Sequence, residues 1–111
     1  MKKVVLFLTV LLLSSPIFAE ENTSTIASIQ SYPDYGNGDF VFTHTSPKDN
    51  GVCRGYWLSP ASPGFDTTVS LVIAAFHSGK SVRVVGHSGS GSKWDGSSTH
   101  HCRVYSLRTI Q

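Results

Sequence analysis

The chain has 111 residues, of which 40% are apolar and 14% charged, with nine Lys/Arg against seven Asp/Glu. That length allows one domain and is too short for the large parallel sheets of many hydrolases. The basic excess is Lys2 and Lys3; beyond them seven of each sign remain, which leaves no basic stripe for nucleic acid.

Lys2 and Lys3 precede the apolar run from Val4 to Leu13 and the segment Ser14 to Ala19. A basic start, a short apolar stretch and a small residue at the cut are the order of a secretory signal peptide, with cleavage expected after Ala19. The apolar run is well short of the ~20 residues that cross a bilayer, and nothing later in the chain is apolar enough to do so. The expected organisation is therefore a signal peptide over residues 1–19 and a single domain over 20–111, secreted or periplasmic.

Glu20 to Thr25 is polar and reads as a loose lead-in. Ile26 to Tyr32 reads as a strand, and Pro33 to Gly38 as a dense turn signal. Asp39 to His44 is a strand rich in aromatic and β-branched residues. Ser46 to Gly51 is a second turn, and Val52 to Leu58 a third strand, so these three form a meander. The prolines of Ser59 to Gly64 stop the sheet. Phe65, Val69, Val72, Ile73 and Phe76 then recur at helical spacing and predict a helix from Phe65 to Ser78. Asp66 suits its positive end and Gly79 its left-handed terminus. Ser81 to Val85 is a short strand, Gly86 to Ser98 a Gly/Ser-rich loop, and Cys102 to Ile110 a last strand. The expected fold is mainly β with one helix, β-β-β-α-β-β, curled into a small OB-like five-stranded barrel.

Cys53 and Cys102 are the only cysteines. In an oxidising compartment the first expectation is that they pair with each other, with a free thiol or an intermolecular bridge as the alternatives. A loop of about fifty residues closed this way contributes about 4 kcal/mol in the chain-entropy account.

The helix face opposite the core stripe carries Thr67, Thr68, Ser70, Leu71, Ala74 and Ala75 and no lysine, arginine or glutamate. An uncharged outer face predicts a second buried contact, most simply between subunits, through Thr67, Leu71, Ala74 and Ala75. The alternative is a plain alanine-rich surface.

With those residues in view, the order of elements resembles the OB-fold B subunits of pentameric bacterial toxins, the pertussis and subtilase-cytotoxin type in particular. The likeness is strongest from Phe65 to Val85. The segment Cys53-Arg54-Gly55-Tyr56-Trp57-Leu58-Ser59-Pro60 is also similar to small secreted proteobacterial proteins. The resemblance implies a ring of identical subunits, helices lining its centre, a cell-surface glycan as ligand and a catalytic A subunit as a further partner. The position of the disulfide does not match those subunits, and no glycan-binding residue carries over.

Gly86-His87-Ser88-Gly89-Ser90 imitates a nucleophile elbow, but its last position is serine and a glycine-serine loop follows, so no catalytic residue is assigned. Five histidines are scattered, and a third ligand is lacking for any metal site, so neither metal nor cofactor is expected. The aspartates sit at turns, where they have local roles. Trp94, between Lys93 and Asp95 in a long polar loop, is the first candidate to stack on a sugar ring, with His87 and Tyr56 beside it. The alternative for Trp94 is a lid folded back on the barrel end. Tyr32 and Tyr35 are weaker candidates of the same kind. The expected function is a binding module, with a small periplasmic protein that binds or inhibits another protein as the alternative.

Overall fold

In the computed structural model, which describes residues 18–111, six strands form one sheet. The strands are β1 Ala19–Ser24, β2 Ile26–Tyr32, β3 Asp39–His44, β4 Gly55–Leu58, β5 Ser81–His87 and β6 His101–Ile110, and the single helix among the described residues is α1, Phe65–Ser78. Most of the expected signal peptide lies outside the described residues.

The sheet order is β1-β5-β6-β4-β3-β2. β2, β3 and β4 pair antiparallel in sequence, so the predicted meander is present. β4 and β6 pair parallel, an arrangement that needs a long crossover, and α1 with β5 supplies it. The expected five-stranded closed barrel is corrected on two counts: there are six strands, and the sheet is open, with β1 and β2 as its edges. The extra strand comes from Glu20 to Thr25, which is not a loose lead-in. Those residues pair with β5 along the register Ala19↔His87 to Ser24↔Val82. Polarity hid the strand: Ser24 is buried and Glu20 and Asn22 are half-buried, but none of the three is apolar.

The core is Phe40, Phe42, Tyr56, Leu58, Val72, Val82 and Val84 with the two cysteines. Cys53 and Cys102 form the expected disulfide, with Cα atoms 5.4 Å apart, and both are nearly inaccessible. It ties the loop ahead of β4 to β6.

α1 packs against β2, β6 and β5 and occupies the residues predicted. Its left-handed cap is Gly79, at φ 71°, whose N–H bonds back to Ala75 O. The stripe is rotated from the expected one. Val72 and Ala75 are buried, with Phe65, Val69 and Phe76 partly covered, while Ile73 is 39% exposed. Ala75 therefore belongs to the core and not to the outer face.

Candidate functional site

The loop between β5 and β6 crosses the sheet as a strap. It contains a 3-10 turn at Ser90–Ser92, and Trp57 Nε1 on β4 donates to Ser92 O at 2.9 Å. Lys93 pairs with Cys102 in an isolated bridge, and Trp94 N donates to His101 O at 3.0 Å. Trp94 is thereby turned inward and is only 3% exposed. Its ring lies 5.0 Å from Tyr32, 5.5 Å from Tyr35 and 5.6 Å from His101, and its Nε1 donates to the buried Asp39 Oδ2 at 2.9 Å. Gly96 passes over the indole where a Cβ would collide with the ring.

Two predicted ligand residues, Trp94 and Tyr56, are therefore corrected, and a third, Lys93, is engaged within the strap. Trp94 is the lid of the alternative reading, with no free face for a sugar. Lys93 directs its ammonium to Trp94 O and Ser97 O, at 3.2 and 2.6 Å. Tyr56 is 1% exposed and stacks on Phe42 at 5.2 Å in the core; its neighbour Trp57 takes the outer side. Asp95 is exposed on the strap.

His87 is the predicted residue that reaches an opening. A cleft of about 250 Å³ is lined by His87, Arg103 and Tyr105 from the β5–β6 pair, by Leu58 at the end of β4, and by Ser62 and Thr68 around the start of α1. Its shape follows from a register shift. Val85 pairs with Ser106 but Gly86 pairs with Val104, so Tyr105 is an extra residue in β6. Such a bulge re-aims side chains. Tyr105 is 69% exposed, and its ring meets His87 edge-on at 5.5 Å. His87 is directly opposite Arg103. Burial first, and then the Arg103 guanidinium, lower the His87 pKa from its ordinary value, which favours the neutral ring with one donor and one acceptor.

No protein-family model, curated protein or solved structure matches this chain. The cleft therefore stands on its own chemistry. It offers an exposed aromatic face, a planar guanidinium with five donors, an imidazole of both hydrogen-bonding characters and two hydroxyls. Among the described residues the ion pair is Arg83 with Glu21 at 3.0 Å, so Arg103 is in none. Sequence reading missed Arg103 and Tyr105 because both pass as ordinary strand residues. The available signal is the spacing of Cys102, Val104 and Leu107, a two-residue step followed by a three-residue step, which marks an inserted residue in a half-buried strand.

The second candidate surface is the outer side of α1. Thr67, Ser70, Ile73, Ala74 and His77 are exposed, Leu71 is half-buried and Ala75 is buried. Of the four predicted interface residues, Thr67 and Ala74 lie on this face, Leu71 borders it and Ala75 does not belong to it. Ile73 is the apolar side chain that sequence reading had placed in the core stripe.

Proposed function

We propose that this chain is an exported binding module, not an enzyme, that takes a glycan in the cleft of His87, Arg103 and Tyr105. One observation carries the reading: the bulge at Tyr105 turns an aromatic ring outward beside a guanidinium and an imidazole. Sugars present C–H faces to aromatic rings and hydroxyls that both give and accept hydrogen bonds, and these three side chains match both requirements. The disulfide between Cys53 and Cys102 accords with an oxidising compartment, secreted or periplasmic.

After β1, the chain runs as three strands, a helix and two strands, with β4 and β6 parallel, the order that underlies the OB-like reading. That order supports relatedness to toxin B subunits, and with it a ring of identical copies and a separate catalytic subunit as a partner. The exposed, uncharged residues Thr67, Ile73 and Ala74 on α1 supply a face for such an assembly.

Size-exclusion chromatography with light scattering tests the ring, and a glycan array tests the ligand. A multimer that Ile73→Asp dissociates, together with retained glycans, is the expected result. A monomer that retains no glycan would leave the alternative of a small protein that binds or inhibits another protein.

A further inference from the structure

β1 is attached to the fold by an unusual set of contacts. Its sequence, Ala-Glu-Glu-Asn-Thr-Ser, contains no large apolar side chain. Its attachment consists of the ladder with β5, the ion pair of Glu21 with Arg83 on that strand, and polar ties to the other side: Glu20 accepts from Val52 N and Cys53 N, Ser24 meets Thr45, and Asn22 meets His44. A strand held without apolar burial is the kind of element that opens locally at low cost.

The tie between Asn22 and His44 has a defined proton arrangement. Asn22 Nδ2 donates to Ser46 O at 3.1 Å and lies 3.0 Å from His44 Nδ1. A carbonyl oxygen only accepts, which fixes this Asn22 atom as the nitrogen. An amide nitrogen only donates, so His44 Nδ1 must accept and the ring proton sits on Nε2. His44 is buried, its Nε2 has no hydrogen-bond partner among the described residues, and its ring lies edge-on to Tyr56 at 5.0 Å. Burial lowers its pKa to about 4. The titratable group packed against it is Tyr56 on β4, which in turn feels Glu20 on β1 and Arg54 just ahead of β4. The Tyr56 phenol is itself pushed up to about 12, by burial first and Glu20 second, so it stays neutral throughout the acid range.

We propose that His44 and Asn22 form an acid-labile clasp, whose protonation frees β1 while β2 to β6 stay paired. A proton on Nδ1 faces the amide hydrogens of Asn22, and the bond is lost. Turning the amide over restores an acceptor to His44 but sets oxygen against Ser46 O, so one of the two ties fails in either arrangement. Release of β1 bares the edge of β5, a row of unpaired backbone groups open to another strand.

Amide hydrogen exchange at pH 6.5 and pH 4, expressed as protection relative to intrinsic rates, tests the clasp. In the unaltered protein the β1 amides should lose most of their protection at pH 4 and exchange near their intrinsic rates, while those of β3 and β6, weakened by the same proton uptake, stay protected by about tenfold or more. His44→Phe should keep β1 as protected at pH 4 as at pH 6.5. Asn22→Ser should leave β1 weakly protected at both pH values, with no further loss in acid, which keeps the test open if His44→Phe fails to fold. Glu20→Gln should retain the acid-dependent loss. Exchange of β3 and β6 as fast as that of β1 at pH 4, or a β1 loss that survives in His44→Phe or disappears in Glu20→Gln, overturns the proposal.

Discussion

The indole N–H of Trp94 donates to the carboxylate of Asp39 across 55 residues of sequence, inside a shell formed by Tyr32, Tyr35 and His101. This bond anchors the strap between β5 and β6 to the start of β3. Asp39→Ala leaves a buried donor unsatisfied and should cost about 1–3 kcal/mol, read by urea denaturation. Trp94→Ala removes the whole buried ring and should cost about 3–5 kcal/mol. Equal stability of either variant and the unaltered protein would contradict the packing described.

The disulfide closes a segment of 49 residues. Reduction, or Cys53→Ala with Cys102→Ala, should lower stability by about 4 kcal/mol in the chain-entropy account. For a domain of about 90 residues that is a large part of the total. The check is the midpoint of urea unfolding with and without reductant.

Gly55 and Gly96 are among the glycines where a methyl group has no room. At Gly55 a Cβ would meet the ring of His101, and at Gly96 that of Trp94. Gly55→Ala and Gly96→Ala should each destabilise by about 1–3 kcal/mol through overpacking. Gly91→Ala, with open space around its Cβ, is the control and should change stability little.

His44 makes stability depend on pH. Its folded pKa of about 4 lies below the ordinary value of 6.5, so the unfolded chain binds the proton more readily. The contribution is therefore complete above pH 6.5 and is lost as pH falls from 6.5 to 4, to a total of about 3 kcal/mol. Thermal melts across that range check it, and His44→Phe should flatten this part of the profile.

Much of the fold was legible because local signals agreed. The apolar period and Gly79 specified α1, the turn residues separated β2, β3 and β4, and two cysteines in a small domain specified their bond. What sequence reading missed came from distant partners. Glu20 to Ser24 has no strand pattern of its own and is a strand because β5 pairs with it. Trp94 lies among polar residues, yet its shell comes from Tyr32, Tyr35, Asp39 and His101. Ile73 and Ala75 exchanged roles because α1 lies across β2 and β6 at an angle that periodicity does not specify. His87, a candidate from the sequence, does line the cleft, but the places of Arg103 and Tyr105 depend on the bulge beside Gly86.

The central claim is that ligand binds at the bulge of β6 and not at the tryptophan strap. Titration calorimetry with a glycan retained on the array compares the unaltered protein, Tyr105→Ala, Arg103→Ala and Trp94→Phe. Tyr105→Ala and Arg103→Ala should each weaken binding by about tenfold or more, the loss of roughly 1.4 kcal/mol, with unfolding midpoints unchanged. Trp94→Phe should bind as the unaltered protein does, even if it is less stable. Undiminished binding by Tyr105→Ala and Arg103→Ala, or a selective loss in folded Trp94→Phe, would contradict the claim.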